Sequence, residues 1–397
     1  MNELIELSEA LIDETDTKFQ RIEVSRIGWK DRLTALQGHR GTGKTTLLLQ
    51  YLKLKTDRKK SLYISLDNFY FQSRSLYETA RELYQQGFHT LVLDEVHKYD
   101  NWSREIKNLY DSYRNLKVIF TGSSALQIYK AEADLSRRAV SYNLPVMSLR
   151  EYIEFEQGIK LEKLTLPDIL KNHTVLANAL SKKLGSPLRF FKQYLAHGCY
   201  PFYKENLENY HHKLMRTVIL VLETDIAAVT NIPYNSISKM KKLLAFIAQA
   251  APFKPNITQL AERIEAKRET ALLYLEYLRR AGIIHLLAPA GKSLGPMSKP
   301  EKIFLENTNL AHALCMEEPN VGTQRETFFL SQVAHLHDVD ASPVSDFYVD
   351  NKFTFEVGGK NKKFNQISNV KNSFVVADDI VTGHGNQIPL WLFGMMY

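Results

Sequence analysis

Lys44, Thr45, Asp94 and Glu95 are the residues from which the chemistry of this chain can be argued. The first two close the run GHRGTGKTT, Gly38 to Thr46. Glycines at 38, 41 and 43 let the backbone turn through positive φ and bring its N–H groups against phosphate oxygens with no Cβ in the way. Lys44 would bridge β- and γ-phosphates as a point charge, and the Thr45 hydroxyl would ligate a magnesium ion joining the same two groups. His39, Arg40, Thr42 and Thr46 fill the remaining loop positions under looser demands. The second pair of residues ends an apolar run, His89 to Glu95. Carboxylates there sit at the carboxyl end of a buried parallel strand, beside the loop. Asp94 is the expected magnesium ligand, and Glu95 the expected general base that orients the attacking water.

The elements needed to position these groups are also readable. Leu33 to Leu36 reads as a buried strand, Gly38 to Gly43 as a tight loop, and Thr45 to Lys53 as a helix with Leu47, Leu48 and Tyr51 on its apolar face. Strand, loop and helix in that order are the context a phosphate loop requires, and the helix N-terminus adds its own partial positive charge. A third strand, Lys117 to Thr121, ends in Gly122-Ser123-Ser124. A polar residue at its tip could hydrogen-bond the attacking water or the γ-phosphate, which makes Thr121 and Ser123 candidates. Ser124 serves equally well as the cap of a following helix.

The segments GHRGTGKTT, LVLDEVH and IFTGSSA, followed by LSRRAVSYNLPVMSLREY, resemble an AAA-type ATPase. More narrowly, they resemble the bacterial and archaeal AAA proteins that carry a basic middle region and a C-terminal domain of nuclease-like fold. The matches cover roughly residues 20 to 155. The resemblance implies ATP and Mg2+ as cofactors and an arginine finger at Arg138. That residue lies in Leu135-Ser136-Arg137-Arg138, which departs from the family pattern L-x-G-R by lacking its glycine. A finger presents its planar cation to a γ-phosphate, often that of a neighbouring subunit; a surface arginine pair near a helix end fits the same residues.

A chain of 397 residues with 44% hydrophobic content can build two or three domains. No apolar run approaches the roughly 20 residues needed to span a bilayer. The N-terminal stretch is acidic and amphipathic, unlike a secretion signal. Cys199 and Cys315 are too few for a disulfide framework. These features point to a cytoplasmic protein with no membrane partner.

Charge is unevenly distributed. Between Ser236 and Pro300 there are eleven Lys or Arg against four Glu, an excess of seven that equals the formal charge of the whole chain. The same region reads as helices at Lys239 to Ala251, Gln259 to Glu265 (capped by Thr258) and Arg268 to Ala281, then a strand at Ile283 to Leu287 and a wing at Gly291. This order describes a winged helix-turn-helix. Lys267, Arg268 and Thr270 would face a DNA groove, with Lys254 and Lys292 on phosphates. A lid or subunit contact remains the alternative role.

The last third reads as a helix within Asn320 to His337 and strands at Asp346 to Val349, Phe353 to Val357, Phe374 to Val376 and Pro389 to Phe393. Helix then strands is the order of the restriction-endonuclease-like fold, and that resemblance places Glu326, Asp346, Glu356 and Lys360 at its acidic and lysine positions. The usual lysine lies two residues after the last acid, where this chain has Gly358; a bulge at Gly358-Gly359 could bring Lys360 closer. Without one, the acids and Lys360, Lys362 and Lys363 form a structural or nucleic-acid-binding face. His211-His212 lacks a Cys or acid at ligand spacing and reads as surface histidine.

The expected architecture is an α/β protein: a P-loop parallel-sheet AAA core (1–155), a helical connection (156–235), a winged helix-turn-helix (236–300) and a small, degenerate nuclease-like α+β domain (301–397). The expected function is magnesium-dependent ATP hydrolysis coupled to a partner: nucleic acid, an unidentified protein, or further copies in a homo-oligomer. Two alternatives are a slow nucleotide-switched regulatory module and an ATP-gated nuclease of a defence system.

Overall fold

A computed structural model describes residues 1–122, 135, 137–227, 233–295, 297–315 and 317–397. The chain divides into two compact units, Met1–Val146 and Met147–Tyr397. The expected core boundary at residue 155 lies inside a helix of the second unit.

In the first unit, strands β1 (Leu33–Gln37), β2 (Ser61–Ser65), β3 (Thr90–Asp94), β4 (Lys117–Thr121) and β5 (Val140–Asn143) form one sheet in the order β2-β3-β4-β1-β5. Every pairing is parallel. Helices α1 (Asn2–Glu14), α2 (Lys44–Lys55), α3 (Leu76–Gln85) and α4 (Trp102–Ser112) cover its two faces. Side chains alternate across a strand with a period of two. Thus Ala35, Leu62, Ile64, Leu91, Leu93, Val118 and Phe120 pack with α3 and α4, while Leu36, Tyr63, Val92 and Ile119 pack with Leu47, Leu48 and Leu52 of α2. Burial on both faces explains why β3 and β4 read as continuous apolar runs.

The second unit begins with α5 (Leu149–Gln157), which Ser148 and Glu151 start with a capping box. Helices α6 (Leu166–Leu184), α7 (Pro187–His197) and α8 (Tyr210–Leu220) follow. Next come α9 (Tyr234–Ala250), α10 (Ile257–Arg263) and α11 (Arg268–Arg280), then the antiparallel pair β6 (Ile284–Leu287) and β7 (Lys302–Leu305). Asn256, rather than Thr258, caps α10, its side chain accepting from the Gln259 N–H. The helix starts earlier than expected because Ile257 is buried and belongs to its apolar face.

Helices α12 (Thr308–Leu314) and α13 (Val321–Val333) lead into a second sheet of β8 (Val339–Ala341), β9 (Phe347–Val349), β10 (Phe353–Gly358), β11 (Ser373–Ala377) and β12 (Gln387–Pro389), in the order β12-β11-β10-β9-β8. The β8-β9 and β9-β10 pairings are antiparallel, and the other two are parallel. The strand expected at Pro389 to Phe393 is instead a 3-10 turn, Leu390–Met395, buried throughout. A short apolar run buried on all sides carries no period that separates strand from helix. Among the described residues, no helix is long and apolar enough to cross a membrane.

Candidate functional site

The phosphate loop leaves the carboxyl end of β1 and enters α2. Gly38 (φ 145°), Gly41 (φ 81°) and Gly43 (φ 89°) all take the positive φ that the spacing demanded. At Gly38 there is a further reason for glycine, since a Cβ would lie 2.5 Å from the Leu144 carbonyl oxygen. Lys44 is buried, and its Nζ donates to the carbonyls of Gly38 and His39, each at 2.8 Å. Thr42 is fully buried and donates to the His39 carbonyl at 2.9 Å. Gly41 is exposed on the loop, Thr46 is exposed in the first turn of α2, and Arg40 is half-buried.

Arg21 fixes the loop from outside the motif. Its guanidinium is buried and donates to the Thr42 carbonyl at 2.7 Å, the Pro145 carbonyl at 2.8 Å and the Val146 carbonyl at 3.1 Å. One rigid planar fork thus ties the loop to the chain following β5. Nothing in the local sequence around Arg21 signals this role.

Asp94 is the centre of the site. It is 2% exposed, and four donors surround its carboxylate. Oδ2 accepts from Thr45 Oγ1 at 2.6 Å and from the Tyr63 hydroxyl at 2.8 Å. Oδ1 accepts from the Glu95 N–H at 3.0 Å and from Thr121 Oγ1. The parallel register explains the convergence. Ser65 lies opposite Asp94, so Tyr63, two residues back along β2, shares the face that looks towards α2. Burial, followed by the Asp94 charge, pushes the Tyr63 phenol far above its ordinary range, so it serves as a neutral donor.

Thr121 stands at the strand tip with its hydroxyl wholly buried and donating to Asp94. Ser123, the other candidate at that strand tip, lies outside the described residues.

Glu95 follows Asp94 in the left-handed region, with φ 52° and ψ 40°. For a residue with a Cβ this backbone is costly, and such positions cluster where a side chain must be aimed. Partial burial raises the Glu95 pKa, Arg40 opposes the rise, and Asp94 and Asp67 add to it. A carboxylate shifted upwards is a better proton acceptor near neutrality than one at its ordinary value. Hydroxyl and carboxylate oxygens (Thr45, Asp94) beside a glycine loop and a lysine suit a hard divalent cation with a polyphosphate.

Arg138 is elsewhere. It makes a two-pronged ion pair with Asp111 at the end of α4, at 2.9 and 3.0 Å. It precedes Val140, which pairs with Thr34 near the start of β1, so it sits at the amino end of the strands. The phosphate loop of the same chain lies at the carboxyl end.

In the second unit, Lys267 caps α11 without a side-chain hydrogen bond, and Lys267, Arg268 and Lys292 are exposed. Thr270 is half-buried. Lys254 is ion-paired with Glu301, and Arg279 and Arg280 both pair with Glu276. Glu276 is already counted among the four acids of this segment, so of these pairs it is Lys254 with Glu301 that offsets part of the basic excess.

The three acids of the C-terminal region do meet, Glu326 from α13, Asp346 just before β9 and Glu356 from β10. Lys302 of β7 lies 3.5 Å from Glu326 and 3.5 Å from Asp346. Asp346 accepts from the Val357 N–H at 2.8 Å, and Glu356 accepts from Ser345 Oγ at 2.6 Å. Burial, with help from Asp346, lifts the Glu326 carboxyl to about 7.

The lysine is not the expected one. Lys360 is exposed, and Lys362 makes the ion pair with Glu356. The chain turns after β10, with the Lys362 N–H bonded to the Gly359 carbonyl at 2.9 Å, and the lysine folds back over Gly358. A Cβ on Gly358 would fall 2.8 Å from the Lys362 Cγ and Cδ, so glycine provides the space that Lys362 fills. Among the described residues, no group of three His, Cys, Asp or Glu is arranged to hold a metal ion. Of the two histidines expected at the surface, His212 is exposed, whereas His211 is half-buried, hydrogen-bonded to the Ala196 carbonyl and stacked on His312.

Residues 30–153 match the AAA domain family. Residues 188–321 match a family described only as a domain of unknown function. An uncharacterized protein of Methanocaldococcus jannaschii is 30% identical over 291 residues, which is 69% of this chain and 60% of that protein. The chain therefore spans about 60% of that relative's length. Among solved structures, C. elegans PCH-2 is 20% identical with a TM-score of 0.24, over 39% of this chain and 44% of that one. AMPPCP-bound DnaA from Aquifex aeolicus is 14% identical with a TM-score of 0.26, over 70% and 88% of the respective chains.

Proposed function

We propose that this protein binds ATP with magnesium and hydrolyses it, and that the nucleotide state is passed to a partner for which duplex DNA is the best-fitting candidate. The observation that carries the reading is the meeting of Thr45, Asp94 and Thr121 beside a loop whose lysine is already bent over it. Loop N–H groups and Lys44 would hold the phosphates, Thr45 and Asp94 would hold the magnesium ion, and Glu95 would orient water. The ion would supply charge neutralisation on the transferring phosphoryl group. The AAA match over residues 30–153 supports the same assignment.

The distance of Arg138 from its own loop supports a role at the site of a neighbouring copy, which makes a homo-oligomer part of the proposal. The order α9, α10, α11, β6, β7 fits a winged helix whose exposed Lys267 and Arg268 meet phosphate or base edges. The test is the rate of phosphate release with and without single-stranded DNA, duplex DNA and RNA. Magnesium-dependent release that duplex DNA stimulates severalfold is expected. Absence of release under all conditions would overturn the hydrolytic reading, and indifference to every nucleic acid would remove DNA as the partner.

A further inference from the structure

Asp94 has more donors than a magnesium ligand needs, and one comes from a strand with no recognised motif. Tyr63 is 7% exposed, and its ring packs with Leu48 and Val92 between β3 and α2. Its main-chain N–H donates to the Ser8 hydroxyl at 2.9 Å, which pins that point of β2 to α1. The phenol oxygen, held from both directions, reaches Oδ2 of Asp94 at 2.8 Å.

The same Oδ2 accepts from Thr45 at 2.6 Å. The two donors differ in kind. Thr45 is the residue expected to turn its oxygen to the cation, whereas Tyr63 sits on a buried strand with its hydroxyl committed to Asp94. Once Thr45 is engaged elsewhere, Tyr63 still restrains Oδ2, while Thr121 and the Glu95 N–H restrain Oδ1. With both oxygens held, the plane of the carboxylate is fixed, and so is the lone pair left to face the loop.

We propose that Tyr63 is a positioning residue for the magnesium–nucleotide site, holding the Asp94 carboxylate in the orientation that binds the cation. The assignment rests on the ATP reading above. Partners that hydrogen-bond ligating carboxylates contribute substantially to metal sites, and losing one typically costs 10–100-fold in metal affinity. The role is invisible to motif reading, because Tyr63 lies 31 positions before Asp94 and only the strand register brings them together.

The experiment is Tyr63→Phe, which keeps the packed ring and deletes only the donor. ATP binding is measured by calorimetry or with a fluorescent nucleotide, first without magnesium and then across a magnesium titration. The expected result is binding within about twofold of the parent without magnesium and an apparent magnesium affinity weakened roughly tenfold or more. Repeating both measurements in an Asp94→Asn background separates positioning from packing, since a bond made to the Asp94 carboxylate loses most of its effect there. Equal magnesium affinity in the folded variant and parent would overturn the role of Tyr63 alone. An equally large loss in the Asp94→Asn background would assign the effect to packing and overturn it too. A parent protein with no magnesium-dependent nucleotide binding would overturn the ATP reading and this assignment together.

Discussion

The hydroxyl of Thr45, at the start of α2, donates to Oδ2 of Asp94, at the end of β3, at 2.6 Å. Two segments 49 residues apart are joined by one bond between the two groups expected to share a cation. Lys44, one residue earlier, is tied to the loop itself, its Nζ donating to the Gly38 and His39 carbonyls.

Arg21 holds three carbonyls around the phosphate loop. Arg21→Met keeps much of the apolar stem but leaves buried acceptors unpaired, at about 1–3 kcal/mol for each. Chemical denaturation should show a loss of at least about 2 kcal/mol, with nucleotide binding weakened as well. A stability change below about 0.5 kcal/mol, the level of an ordinary surface substitution, would mean that water replaces the clamp.

Glu326 gives a pH signature. Its folded carboxyl titrates at about 7, above the ordinary 4.5, because of burial and the nearby Asp346. Between those values the folded chain keeps a proton that the unfolded chain has lost, so stability falls as pH rises from 4.5 to 7 and then levels off. Glu326→Gln cannot ionise, so the difference in unfolding free energy between the variant and the parent should move in the variant's favour across that window. A difference independent of pH from about 4.5 to about 8 would contradict the elevated carboxyl.

Lys267 and Arg268 are exposed at the start of α11. Reversing both charges should weaken duplex binding by more than tenfold. Plots of log affinity against log salt should flatten by about 2 in slope, one for each phosphate no longer neutralised. Basal ATP hydrolysis should be unchanged. Titrating labelled duplex at two salt concentrations decides the matter; unchanged affinity would remove this helix from the DNA-binding surface.

Arg138 pairs with Asp111 at the end of the sheet away from its own phosphate loop. If it serves a neighbour, inactive Arg138→Ala and inactive Glu95→Gln chains should partly rescue one another when mixed, because one mixed interface regains both groups. No rescue at any mixing ratio, with assembly confirmed, would count against a finger acting between copies.

What the sequence revealed and what it hid follow from how local each signal is. Gly38, Gly41, Gly43 and Lys44 act through backbone turns within one loop, so their spacing alone carries the information. Asp94 was legible because a buried parallel strand must end where its loop begins. Tyr63 and Arg21 were not, since their partners are set by strand register and by chain returning from residues 145–146. The position of Thr121 at a strand tip is legible, but its hydrogen bond to Asp94 is a choice of partner that spacing does not encode. Lys362 displaced Lys360 because a turn, not strand periodicity, carries the chain after Gly358.

Phosphate release and nucleotide binding measured together for the parent, Lys44→Ala and Glu95→Gln test the proposed ATPase most directly. Lys44 contacts phosphate before reaction, whereas Glu95 acts on water during it. Lys44→Ala should weaken nucleotide binding by roughly tenfold or more, the scale of one charged hydrogen bond. Glu95→Gln should bind as the parent does and release phosphate roughly 100-fold more slowly. Release at the parental rate by Glu95→Gln, or undiminished binding by Lys44→Ala, would contradict the assignment of this site.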